Sequence, residues 1–150
     1  MKKLLVLVIC LSFLLLGCNS AAEPYLFENR GKSIDCIELL FYPWIEDENE
    51  PFMEFVLIRE LSAEEIPVFM EELYALPSSF VYGSPLRNYG SYIARVSYEN
   101  GDTEYFASRH IELVKAGEEP YAVGVYSFTG NSFDELFLEY AGNLDYLLKE

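Results

Sequence analysis

An α+β domain, with an antiparallel sheet of five or six strands and two amphipathic helices, is the fold class this sequence predicts. Three observations carry it. Short runs of β-branched and aromatic residues follow one another through tight turns, and strands linked so closely must pair antiparallel. Two Ser-x-x-Glu motifs, Ser62-Ala63-Glu64-Glu65 and Ser132-Phe133-Asp134-Glu135, each open a stretch in which the apolar period changes from two to about 3.6. The chain from Cys18 to Glu150 is 133 residues long, the size of one domain with a core of its own.

The strands come first. Residues 34–42 and 52–59 are apolar, β-branched or aromatic runs. Between them, Pro43 and Pro51 bracket an acidic cluster that no ladder would tolerate, which predicts a hairpin with a long loop. The first helix follows. In its capping box the side chains of Ser62 and Glu65 satisfy each other's free backbone N–H groups, with Leu61 and Ile66 placed as a hydrophobic staple. Ile66, Phe69, Met70, Leu73 and Leu76 share one face; Pro67 is expected in the second turn, at the loss of one hydrogen bond, and Pro77 ends the helix.

Residues 80–82 suggest a short edge strand, followed by a Gly83-Ser84-Pro85 turn and an irregular stretch to Gly90. Strands at 92–98 and 103–112 flank Glu99-Asn100-Gly101-Asp102, a hairpin signal because Asn-Gly tolerates positive φ at both central positions. A further strand at 121–128 comes after the Gly-Pro-containing turn at 116–120. The second helix presents Phe133, Leu136, Phe137 and Tyr140, and Gly142-Asn143 breaks it before a final amphipathic turn. Such helices need one apolar face covered, and a layer of helices on a sheet supplies that.

The N-terminus reads as an address. Lys2 and Lys3 precede an apolar run from Leu4 to Leu16, and Leu15-Leu16-Gly17-Cys18 resembles the bacterial lipobox, in which a diacylglycerol is attached to the cysteine that becomes the first mature residue. Leu16 is larger than the usual residue at its position. Two other readings exist: cleavage after Ala22 by ordinary signal peptidase, and retention as an anchor, for which a run of thirteen residues falls short of the roughly 20 needed to cross hydrocarbon. The domain plan is therefore a signal peptide at 1–17, a lipidated cysteine and tether at 18–33, and one α+β domain at 34–150. A flexible tether of that length has a root-mean-square reach of about 20 Å. Tyr25, Leu26 and Phe27 are its apolar exception and could pack on the domain. Two stretches, 37–44 and 89–102, resemble segments of small uncharacterised lipoproteins from Gram-positive bacteria. That resemblance implies an extracytoplasmic, lipid-anchored domain and carries over no functional residue beyond Cys18.

Processing also settles the charge. Without Lys2 and Lys3 there are 8 basic and 25 acidic residues, a formal charge of −17. Nucleic acid is excluded as a partner by the lack of a basic face, and membrane attachment must come through acyl chains on Cys18 rather than through anionic headgroups. Cys10 leaves with the signal and Cys18 is consumed, so Cys36 has no internal disulfide partner and is expected as a small buried hydrophobe.

No cofactor motif and no catalytic motif stand out. His110 is the only histidine; on a strand running to residue 112 it would share a face with Glu104, Phe106, Ser108 and Glu112 as an ordinary sheet-surface residue, a general base being the sharper alternative. No metal site is expected, since a zinc set needs more His and Cys than remain, and the acidic loop at 46–50 lacks the alternation and turn glycine of a calcium loop. Acidic residues are too numerous for any pair to be chosen as hydrolytic carboxylates. The aromatic content, 12 Tyr and 11 Phe, is the more unusual feature. Tyr42, Trp44, Tyr82 and Tyr89 fall at strand ends or in loops, where rings could stack on a sugar or anchor a protein partner. The expected function is a lipid-anchored binding module for an envelope protein or glycan. A metal-independent envelope hydrolase and a purely structural lipoprotein are the alternatives.

Overall fold

A computed structural model describes residues 24–42, 55–80, 91–118, 126–142 and 144. Its fold is α+β: a five-stranded antiparallel sheet, a two-stranded antiparallel sheet and two helices. The elements are β1 (Ile34–Tyr42), β2 (Val56–Glu60), α1 (Glu65–Ala75), β3 (Ser78–Phe80), β4 (Ser91–Tyr98), β5 (Thr103–Ala107), β6 (His110–Val114), β7 (Tyr126–Phe128) and α2 (Ser132–Ala141). The large sheet has the order β2-β1-β4-β5-β6, and β3 pairs with β7. After the β1–β2 pair the chain crosses through α1 and β3, then returns as β4 on the far side of β1.

Alternation sorts the sheet residues onto two faces. Ile37 and Leu39 of β1, Ala94 and Val96 of β4, Phe106 of β5 and Ile111 of β6 point to one side. There they meet Phe69, Met70 and Leu73 of α1 and Phe133, Leu136 and Phe137 of α2. Ring contacts tie the layers together: Tyr92 stacks on Phe137 at 4.8 Å and Phe128 on Phe133 at 5.3 Å. A second, smaller cluster of Leu40, Tyr42 and Ile93 lies on the other face, with Phe55, Tyr105 and Ala107 against it.

Several local expectations change. The strand expected over 103–112 is two strands: Ala107 pairs directly with His110 across a two-residue turn, Ser108-Arg109. No described non-glycine residue has positive φ, so this hairpin carries none of the Gly or Asn chemistry by which such turns are read. The Asn100-Gly101 hairpin forms, but only Gly101 uses positive φ, at 88°. Tyr98 N–H donates to the Asp102 carbonyl and Gly101 N–H to that of Tyr98, giving a three-residue loop closed by a left-handed glycine.

Helix α1 starts at Glu65, which puts Pro67 in the first turn, where its missing N–H has no intrahelical partner to lose. The Glu65 carboxylate accepts from Ser62 N–H at 2.9 Å, while no N-cap side chain bonds the helix. In α2 the capping box at Ser132 does not form. Asn131 precedes the helix, Ser132 Oγ is buried without a partner, and Asp134 accepts from Ser108 Oγ at 2.5 Å instead. Gly142, at φ 79°, ends α2 and donates to Leu138. Strand residues 52–54, 81–82 and 121–125, the 46–50 loop and the final turn at 145–150 lie outside the described residues.

Part of the stretch read as a tether belongs to the packed unit. Tyr25 is 4% and Asn29 1% exposed, because the Tyr25 ring covers the end of the helix-side core beside Phe106.

Candidate functional site

On the sheet face away from the helices, the register lines up a polar row. Glu38 of β1 faces Arg95 of β4, Arg95 faces Tyr105 of β5, and Tyr105 faces Glu112 of β6. Two residues back along β6, His110 adds its imidazole, with Nε2 3.3 Å from Glu112 Oε2. The Glu38 carboxylate and the Arg95 guanidinium form an ion pair. Burial opposes the charge of Arg95, but its bonds to Glu38 and the Tyr105 hydroxyl outweigh this and raise its pKa further. His110 Nδ1 is buried and has no hydrogen-bond partner among the described residues.

Aromatic rings border this row. Phe55 stacks near Tyr105 at 6.1 Å and tilts against Tyr42 at 5.4 Å. Acceptors and donors therefore alternate across four strands beside apolar rings, a pattern able to hold a ligand's polar groups while a ring covers its apolar face. The His110–Glu112 pair also has the make-up of an oriented general base.

The opposite face hides a second polar group. Glu104 is fully buried under the helix layer, beside Phe106 in the apolar parity of β5. It accepts from Tyr25 Oη at 2.7 Å and from Tyr98 Oη at 2.5 Å. The Asn29 amide faces the same carboxyl, near enough to favour its ionised form but without the alignment of a full hydrogen bond. Burial pushes the Glu104 carboxyl above the ordinary carboxylate range against the pull of these donors, with the nearby Glu28 charge adding to the rise. Tyr25 and Tyr98 are raised too, first by burial and then by Glu104. The sequence expectation that His110 shares a face with Glu104 fails because the Ser108-Arg109 turn starts a new strand. His110 stands with Glu112 on one face and Glu104 is enclosed on the other.

Of the aromatic candidates, Tyr42 is buried, 6% exposed, in the small cluster rather than presented from a loop. Trp44, Tyr82, Tyr89 and the lipidation candidate Cys18 lie outside the described residues. Cys36 is half-buried and burial pushes its thiol up, the setting of an unreactive cysteine. Among the described residues no set of His, Cys, Asp and Glu side chains gathers as metal ligands, and no described helix is long and apolar enough to cross a membrane.

Sequence reasoning missed Arg95, Tyr105 and Glu38 as a group, since their meeting depends on strand order. Glu104 did leave a signal, a glutamate at an inward position two residues from Phe106. Compared with protein-family models, with curated proteins and with solved structures, the chain matches none.

Proposed function

We propose that this chain is a lipid-anchored, extracytoplasmic binding module, held to a bacterial membrane through Cys18, that meets an envelope protein or glycan on the sheet face carrying Glu38, Arg95, Tyr105, Glu112 and His110. The single observation that supports the binding face is the unbroken cross-strand register of that polar row beside Phe55 and Tyr42. Support for the anchor is the Leu15-Leu16-Gly17-Cys18 sequence after an apolar run. Partly buried polar groups already oriented by one another lose little freedom when a ligand arrives, and they reject ligands whose hydrogen-bonding pattern leaves them unpaired.

Crosslinking in intact cells tests the binding face. The wild-type chain catches a specific partner, and a Tyr105→Ala or Trp44→Ala variant of unchanged thermal stability loses it; an undiminished catch in both removes the reading. Turnover of cell-wall fragments abolished by His110→Gln would replace it with a hydrolase. For the anchor, the mass of membrane-extracted protein exceeds the polypeptide from Cys18 to Glu150 by at least one diacylglycerol. A mass matching Glu23 to Glu150 overturns it.

A further inference from the structure

Residues 24–33 run along one end of the domain and are fastened at several points. Tyr25 N–H donates to Ser78 Oγ of β3 at 3.1 Å, and its hydroxyl donates to Glu104 of β5 at 2.7 Å. Its ring meets Phe27, Phe106 and Tyr126 edge-on, with centroids 4.9, 6.4 and 5.1 Å away. Further along, Arg30 lies over the Tyr74 ring of α1 at 4.9 Å and Lys32 pairs with Asp102 at 3.0 Å. Glu99 N–H donates to the Ser33 carbonyl at 3.1 Å.

These fastenings differ from those of the sheet. No ladder holds the strap, Leu26 within it is 80% exposed, and only Tyr25 and Asn29 are fully inside. A segment held by side-chain contacts and isolated hydrogen bonds rather than by a ladder opens at a lower free energy than the core it rests on.

We propose that residues 24–33 are a latch that sets how far the domain stands from the membrane, a reading that rests on the anchor at Cys18. With Tyr25 seated between Ser78 and Glu104, only residues 19–24 separate Cys18 from the domain, six residues that span at most about 21 Å. Released, the link is 19–33, fifteen residues that span at most about 50 Å. The closed latch therefore presents the end of the domain formed by β3, β7 and the Tyr25 ring to the lipid, and the open one frees the domain to recede.

The full-length chain, prepared from membranes and reconstituted in vesicles carrying dansyl headgroups, gives two readouts. Trypsin cleavage after Arg30 and Lys32 reports latch opening, and energy transfer from Trp44, the only tryptophan, reports the distance to the lipid. Tyr25→Phe keeps the ring and removes the hydroxyl that donates to Glu104, and Ser78→Ala removes the acceptor of the Tyr25 N–H. Each speeds cleavage at Arg30 and Lys32 about tenfold, the effect of one lost hydrogen bond on the open population, leaves cleavage at Arg95 unchanged and lowers the transfer. Unchanged cleavage at Arg30 and Lys32 in both variants overturns the latch; faster cleavage with unchanged transfer overturns its role in setting distance. The intact mass of the same preparation tests the anchor separately, because the trypsin result stands with or without a lipid on Cys18.

Discussion

Replacing Glu104 with leucine removes the one acceptor that two buried tyrosine hydroxyls share. Tyr25 and Tyr98 are 4% and 3% exposed, so neither hydroxyl reaches water when the carboxyl is gone. Each donor left unpaired in such a place costs about 1–3 kcal/mol, so Glu104→Leu is expected to destabilise the fold by about 2–6 kcal/mol. That is a large share of the roughly 5–15 kcal/mol a domain of this size has available. Removing all three polar groups together is a different matter. In the triple variant Glu104→Leu, Tyr25→Phe, Tyr98→Phe the two hydroxyls leave with their acceptor and the carboxyl's desolvation cost disappears, while the Asn29 amide and the Tyr74 hydroxyl lose a neighbour, so the triple variant is expected to be about 1–3 kcal/mol more stable than Glu104→Leu alone. Urea denaturation at pH 5, followed by circular dichroism with the slope checked for constancy across variants, measures each difference. A triple variant no more stable than Glu104→Leu alone would show that the three side chains act independently and would refute the reasoning.

Two further outcomes follow from named groups. Because burial raises the Glu104 carboxyl in the folded state, the unfolded chain releases this proton at lower pH than the folded one does. Its contribution to stability is complete below the ordinary glutamate value near 4.3 and is lost as pH rises through the folded value. Asp102 contributes in the opposite sense, its pKa lowered by Lys32 first and Asn100 next, with stability present above its unfolded value and lost on acidification. Denaturation midpoints of Glu104→Gln across pH 4 to 8 should lack the alkaline-side decline of the wild type; an unchanged slope assigns the decline to another group. Gly101→Ala places a Cβ at φ 88°, 3.0 Å from the Ala116 Cβ, and a left-handed non-glycine residue costs about 1–2 kcal/mol before that contact is counted. A melting temperature equal to the wild type's would mean the hairpin had adopted a different turn.

The fold was legible where one signal dominated. Period two and period 3.6 marked the strands and helices, and Asn100-Gly101 marked the hairpin at the centre of the sheet. What was not legible has physical causes. The Ser108-Arg109 turn uses no positive φ, so its composition does not distinguish it from a continuing strand, and that one turn moved His110 to the face opposite Glu104. The second Ser-x-x-Glu motif fitted the capping pattern, yet Ser108 captured Asp134 and Ser132 was left without a partner. The polar row was unreadable for a different reason. Glu38, Arg95, Tyr105 and Glu112 meet only because β4 inserts between β1 and β5, a consequence of strand order that no local pattern encodes. Tyr25 stood out as an aromatic in a polar stretch, but its partner Glu104 is 79 positions away.

That separation sets an order of events. A contact spanning 79 residues closes a long loop, whose entropy must be met before the contact contributes, whereas the β4–β5 and β5–β6 hairpins close within a few residues of each other. Tyr25 is made early, yet its seat is incomplete until β5 has emerged and paired. If the proposed anchor at Cys18 holds, the link to the membrane would be at its longest while the sheet assembles and would shorten as one of the last steps of folding. The domain would draw itself toward the lipid only after its own core has formed.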